Sequence, residues 1–359
     1  MKSRILTSIF LFLVLLGCSG KSESDKNNIN GENPLASKPI GQTGKKSNEP
    51  IQLNVSPESK IGGVVRSIFQ DSQGNLWIGG EGDLFRNDGE TLTSFDFKDE
   101  YGRGVTIKQI IEDKDGSLWC GTTGGLFKKD GNQFVKIGSG VDLPRQDIWS
   151  LAADPTGGIW MGTLDGAFRL DGNKFSKFSI PSSKMDPTRG VTSADIVHCI
   201  FVDQKNNVWF GTNGGAYVFD GKDLDHVSIS DGLPGDVVHN IIEDSSGNIW
   251  IGTTHHGICR FDGSSFTNFT ADGVIKGNEI WSIHEDQNGR IWFSGKHCGV
   301  YCYERGAFTN YDKLDGLDSP GMMTIAEDRD LQIWLGGVNG LFRFNGETFI
   351  KVEKDGPWR

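Results

Sequence analysis

Between residues 62 and 350 the apolar positions recur in short runs on a long period. In one unit they predict four strands: Ile107 to Glu112, Ser117 to Thr122, Leu126 to Lys129 and Gln133 to Ile137. Asp113-x-x-Gly116 and Asp130-Gly131 supply the turns between the first pair and the last pair. The unit returns at Trp77, Trp119, Trp160, Trp209, Trp250, Trp292 and Trp334, spaced by 42, 41, 49, 41, 42 and 42 residues. Six residues before each tryptophan stands an aspartate: Asp71, Asp113, Asp154, Asp203, Asp244, Asp286 and Asp328. Nine before stands an aliphatic: Ile68, Ile110, Leu151, Ile200, Ile241, Ile283 and Ile325. Four strands in about 42 residues is the period of a propeller blade. Seven units therefore predict an all-β fold, a seven-bladed β-propeller with four antiparallel strands per blade.

In that frame the aspartates read as turn formers, whose carboxylates take backbone N–H groups two or three residues on. The tryptophans read as packing between blades. Ile51 to Val55 fills the slot where an outermost strand would precede blade 1, yet Thr348 to Val352 already serves blade 7. The N-terminal strand is expected either to complete the last blade or to lie against it as an extra strand. The propeller then spans 51–359.

Upstream the pattern changes. Lys2 and Arg4 precede a mostly apolar run from Ile5 to Leu16, too short to span a bilayer and suited to a signal peptide over 1–17. Leu15-Leu16-Gly17-Cys18 resembles the lipobox of bacterial lipoproteins, which implies acylation at Cys18 and anchoring to a membrane of the cell envelope. Residues 18–50 are rich in Ser, Asn, Lys, Gly and Pro and read as a flexible tether. The formal charge of −11 becomes more negative once Lys2 and Arg4 are removed, which excludes nucleic acid as a partner.

The frame Asp113-x-x-Gly116-x-Leu118-Trp119-x-Gly121-Thr122, followed by Gly125-Leu126-Phe127, resembles the two-component regulator propeller repeat. The resemblance covers residues 62 to 350 and occurs seven times. It implies a sensor part of hybrid histidine kinases outside the cytoplasm, often built as two tandem propellers that detect glycans. No second propeller, spanning helix, phosphoacceptor segment or ATP-binding region is seen here. The expectation is a stand-alone lipoprotein form without kinase activity.

Departures from the repeat are where function is sought. Eleven residues before each tryptophan, near the top of the channel-lining strand, the chain reads Arg66, Lys108, Trp149, His198, His239, Trp281 and Met323. Aromatic planes with a few donors suit a polar, partly apolar ligand such as a glycan; filling of gaps between blades is the plainer account. On the same face blade 5 carries Thr254-His255-His256-Gly257 and blade 6 Lys296-His297-Cys298-Gly299, each one residue longer than Thr123-Gly124-Gly125 of blade 2. No motif demands a cofactor; a divalent metal is the one that His255, His256, His297 and Cys298 would suit. The extra residues between Trp160 and Trp209 fall in Ile180 to Ala194, a loop beside His198 that reads as a lid or a tolerated insertion.

Cys120, Cys199, Cys259, Cys298 and Cys302 remain after Cys18, an odd number that leaves at least one free thiol or an intermolecular bridge. Cys120 reads as a small buried hydrophobe, and Cys298 to Cys302 as a bridge over a hairpin if the geometry allows. His284-Glu285-Asp286 resembles a catalytic trio, but Asp286 is the repeat aspartate and Glu285 matches Glu112, Glu243 and Glu327. A binding or sensory module without turnover is the favoured reading. The alternatives are a metal-dependent lyase, since virginiamycin B lyases resemble this architecture and use a histidine with magnesium, and a scaffold for a protein partner.

Overall fold

Each repeat folds into one antiparallel sheet whose strands run outward from the channel in chain order. In the computed structural model blade 2 comprises Ile107–Glu112, Leu118–Thr122, Gly125–Asp130 and Gln133–Ile137, within a residue of the predicted bounds. The structure describes residues 52–358 apart from 56–60, 62, 100, 139–146, 184–192, 272, 274 and 278. The expected signal peptide, Cys18 and the expected tether lie outside the described residues. Seven such sheets form the seven-bladed, all-β propeller. Among the described residues no helix is long and apolar enough to cross a membrane.

The second strand of every blade is buried at all five positions, because neighbouring blades cover both of its faces. That explains a continuous apolar run in place of alternation. The fourth strand lies outermost and is correspondingly mixed, as in Lys174–Phe178.

The repeat aspartate does more than shape its turn. In all seven blades its Oδ1 accepts the backbone N–H two and four residues on. Its Oδ2 accepts the indole Nε1–H of the tryptophan six residues on, at 2.8–3.0 Å. The indole is thereby held flat against the next blade. Trp77 packs with Ile107, Ile110 and Leu118 of blade 2, and Trp334 closes the series against Val65, Ile68 and Ile78 of blade 1. A cation usually lies across the strand from the tryptophan, with Lys128, Arg169 and Arg260 placed 4.7, 5.6 and 5.8 Å from their indole centroids.

Two further sets of bonds tie blades together. The innermost strands expose an unpaired edge to the channel, and several of its N–H groups are met by the preceding blade. Ile110 N donates to Ser67 Oγ, Leu151 N to Gln109 Oε1, Ile200 N to Ser150 Oγ and Ile325 N to Ser282 Oγ. On the face opposite the candidate site Glu112 accepts the N–H and hydroxyl of Ser72, and Glu285 those of Ser245.

Ring closure departs from both expectations. Gln52–Asn54 pairs in parallel with Thr91–Thr93, on the outer edge of blade 1, making that blade five-stranded. Blade 7 has four strands of its own, ending in Phe349–Val352, so its outer slot is filled by chain order alone. The seam between blades 7 and 1 is sealed by side chains instead. Trp358 is buried beside Trp334, with ring centroids 6.1 Å apart, in the same cluster as Ile61 and Val65, and Val55 packs against it.

The aspartate–indole bond has a measurable weight. Asp244→Ala leaves the N–H groups of Ser246, Asn248 and Trp250 without their acceptor, the Trp250 indole being buried. It is expected to lower stability by about 2–4 kcal/mol, read as a shift of the urea midpoint. Asp225→Ala, on the exposed outer strand of the preceding blade, is expected to change it by less than about 0.5 kcal/mol.

Candidate functional site

The innermost strand of every blade carries a β-bulge at one position. Pairing with the second strand jumps from Val65 to Ser67, Ile107 to Gln109, Ile148 to Ser150, Val197 to Cys199, Val238 to Asn240, Ile280 to Ser282 and Met322 to Thr324. The skipped residues are Arg66, Lys108, Trp149, His198, His239, Trp281 and Met323, the seven found eleven residues before the tryptophans. A bulge frees its extra residue from the ladder and re-aims the side chain. One device repeated seven times therefore sets a ring of variable side chains at the channel mouth.

Four of them touch in sequence across blades 2 to 5. Lys108 Nζ lies 3.6 Å from the Trp149 ring centroid. The Trp149 and His198 rings meet edge to face at 6.2 Å, and His198 stacks on His239 at 4.9 Å. Arg66 flanks this row from blade 1, with Glu81 3.7 Å away, and Trp281 stands in blade 6. His198 is buried, whereas Trp149, His239 and Trp281 are half-buried and keep a surface for contact. Burial pulls the Lys108 ammonium below the usual lysine range, the Asp147 carboxylate opposes this, and the charge of Arg66 adds to it.

Two acids position the indoles, and the sequence reading did not single them out. Asp147 Oδ2 accepts Trp149 Nε1–H at 3.1 Å while its Oδ1 pairs with Lys108 Nζ at 2.7 Å. Blade 6 repeats the arrangement: Glu279 accepts Trp281 Nε1–H at 3.0 Å and faces Lys296 Nζ at 3.8 Å. The signal was present in Asp147-Ile148-Trp149-Ser150 and Glu279-Ile280-Trp281-Ser282, since the other blades have Val64, Thr106, Ile196, Val237 and Gly321 at the acid's position. Gly321 serves a second purpose. A Cβ there would stand 2.3 Å from the Trp281 ring, so glycine lets the indole lie on the blade 7 backbone.

The insertion reaches this row through Asn213. Asn213 Nδ2–H donates to Ser193 O at the base of the loop, and Asn213 Oδ1 meets His198 Nε2 at 2.7 Å. Ser183 N donates to Ala194 O across the loop's neck. The tip, 184–192, lies outside the described residues.

The turn residues are placed differently. His255 and His297 are exposed and adopt left-handed backbones, with φ of 74° and 58°. His256 lies against Gly235, where a Cβ would stand 2.3 Å from its Nδ1. Cys298 is turned inward, 6% exposed, against Gly277 and Gly295. Among the described residues no three His, Cys, Asp or Glu side chains are grouped to hold a metal ion. The Cys298–Cys302 bridge does not form either, and all five thiols are free and buried. Cys298 belongs to the core between blades 5 and 6 and Cys302 to that between blades 6 and 7, on opposite faces of one sheet. Burial pushes the Cys302 thiol up to about 12 and the Cys298 thiol to about 11. Cys120 is fully buried, as a small hydrophobe should be.

His284, Glu285 and Asp286 are divided among separate tasks. Glu285 holds Ser245 of the preceding blade, and Asp286 holds Trp292 and Arg290. His284 is half-buried and its imidazole is pushed down to about 4 by desolvation, partly opposed by Asp286. The unfolded chain, titrating near 6.5, therefore takes up this proton first. The stability held by the neutral ring is complete above pH 6.5, declines as pH falls toward 4 and levels off below. His284→Phe, the residue type of Phe69 at this position in blade 1, is expected to flatten the fall of the urea midpoint between pH 6.5 and 4.5. An unchanged slope would assign the acid sensitivity to other groups.

The sequence pattern of the two component regulator propeller family matches residues 59–82, 101–124, 142–165, 190–214, 232–255 and 275–297. No curated protein gives a significant match. Among solved structures, the extracellular domain of a hybrid two-component system from B. thetaiotaomicron superposes with a TM-score of 0.65 at 24% identity, over 82% of this chain and 41% of that one. A second such domain from the same organism gives 0.63 at 20% identity, over 81% and 39%. Virginiamycin B lyase from Staphylococcus aureus gives 0.62 at 14% identity, over 82% and 98%. The chain thus spans about two fifths of the extracellular domains it resembles, and at these identities the likeness concerns the fold. With six blades matched and the seventh carrying the same Asp328–Trp334 frame, the chain belongs to the two-component regulator propeller family.

Proposed function

We propose that this propeller is an extracytoplasmic, lipid-anchored binding or sensory module that takes a polar small molecule, a glycan best of all, at the channel mouth. One observation carries the reading: Trp149 and Trp281 are half-buried indoles on bulges, each held by an acid two residues earlier. A fixed aromatic plane with a solvated edge stacks on the apolar face of a sugar ring at little entropic cost. The imidazoles of His198 and His239 and the Lys108 ammonium supply polar contacts around it. The way the ring's charged groups are used supports binding without turnover. Lys108 is paired with Asp147, and Asp147 and Glu279 are occupied by indoles.

Titration calorimetry against an oligosaccharide panel tests the site. A glycan that binds the wild type is expected to bind Trp149→Ala, Trp281→Ala and His239→Ala at least tenfold more weakly, about 1.4 kcal/mol each. His255→Ala reports whether the exposed turn of blade 5 contributes. If all four variants bind as the wild type does, the ligand lies elsewhere. A product formed only with a divalent metal would overturn the binding reading in favour of a lyase.

The anchor rests on Leu15-Leu16-Gly17-Cys18 and on the tether that follows. Acyl chains on Cys18 would hold the propeller at an envelope membrane without a spanning helix. In cells Cys18→Ala is expected to move the protein from the membrane fraction to the soluble one and to abolish incorporation of labelled palmitate.

A further inference from the structure

The other mouth of the channel, where the Asp-x-x-Gly turns lie, holds a cavity of about 480 Å3 walled by blades 1, 2, 6 and 7. One of its residues breaks a repeat rule. Eight positions before the tryptophan the blades carry Phe69, Ile111, Ala152, Phe201, Ile242 and Ala326, but blade 6 carries His284. Its Nε2 is shielded from solvent and has no hydrogen-bond partner among the described residues. A buried polar atom left in that state is destabilising unless a ligand or water satisfies it.

Glu327, which also lines this cavity, carries a second orphan. Glu327 Oε2 accepts the N–H of Gln287 at 2.8 Å, the bond that Glu112 and Glu285 make to Ser72 and Ser245. Those two glutamates use their other oxygen for the serine hydroxyl. Gln287 stands where that serine would, so Glu327 Oε1 is buried with no partner. The remaining charges are committed: Asp71 and Asp328 to their indoles, Glu112 to Ser72, and Arg329 to the carbonyls of Asp71 and Ser72. Ile68, Phe69, Ile325 and Ala326 complete the wall with apolar surface.

We propose that this lower mouth is a second binding site, independent of the upper one, for a small organic cation of the alkylammonium class. Its N–H groups would be taken by Glu327 Oε1 and by His284 Nε2 in the neutral, Nδ1-protonated tautomer. Its alkyl part would lie along Phe69 and Ile325. The excess of carboxylates over the single guanidinium in the wall selects a cation over an anion. The two orphan acceptors select a donor over an ether or ester. A metal ion is disfavoured, because no three ligating groups among the described residues come together.

The test uses the full propeller and three probes of similar size, butylamine, 1-butanol and butyrate, titrated at pH 7.5 by ligand-observed NMR and by 15N NMR of the labelled protein. Butylamine is expected to bind saturably and at least tenfold more tightly than 1-butanol or butyrate. Glu327→Gln and His284→Phe should each weaken it at least tenfold, and Trp149→Ala/Trp281→Ala should leave it unchanged. In the wild type the His284 Nε2 resonance should move with butylamine concentration, which keeps the test informative should His284→Phe misfold. Equal binding of butylamine and 1-butanol, no saturable binding, an unmoved His284 resonance, or full affinity in Glu327→Gln would each overturn the proposal. Loss of butylamine binding in the double tryptophan variant would do so too, by placing the amine at the upper mouth.

Discussion

The structure depends on a hydrogen bond between a buried or half-buried carboxylate and an indole, repeated once per blade. Alone, a buried aspartate is a liability, because desolvation disfavours its charge. Here each carboxylate receives two backbone N–H groups and one indole N–H, so its charge is met within its own turn. The same bond fixes the rotation of the indole, and the fixed indole is the surface on which the next blade rests. Turn, sheet and inter-blade packing are thus coupled through one residue pair. Blade 3 shows how strongly the charge is held: burial would raise the Asp154 carboxyl, yet Arg169, Thr156 and the Gly158 N–H bring it down to about 2.

Because the scaffold is secured at the second strand and its turn, the innermost strand is free to vary at its bulge. The bulge is common to all blades, while the residue on it ranges from Met323 to Trp281. Scaffold and variable positions are separated along a single strand. Position nine faces the neighbouring blade and stays aliphatic, and position eleven leaves the ladder and varies from blade to blade. Asp147 and Glu279 extend the principle, since one acid inserted two residues earlier turns a channel tryptophan into a held plane.

Glycine works where backbone and ring must meet closely. Gly321 under Trp281 and Gly235 under His256 are specified by a side chain from another segment, which explains their place in loops of no fixed pattern. The thiols follow the opposite logic. Cys302 lies across the strand from Trp292, where most blades have Arg or Lys, and Arg290 from the turn supplies the cation there instead, 5.2 Å from that indole's centroid.

Local chemistry was enough to identify the blades. The Asp-x-x-Gly turn, the tryptophan six residues after the aspartate and the aliphatic nine before it depend only on neighbours in the chain, and strand bounds agree to within about a residue in blade 2. The ring of Arg66, Lys108, Trp149, His198, His239 and Trp281 was also legible, because it occupies one register position and departs from the repeat there. Three features needed the folded ring. The N-terminal strand chose blade 1, since edge pairing is decided by which free edge lies within reach, and Trp358 rather than a shared strand seals the seam. Cys298 and Cys302, four residues apart, were separated because the sheet between them turns them to opposite faces. The buried orphans His284 Nε2 and Glu327 Oε1 were brought to one cavity from blades 6 and 7, a juxtaposition that no periodicity within a blade encodes.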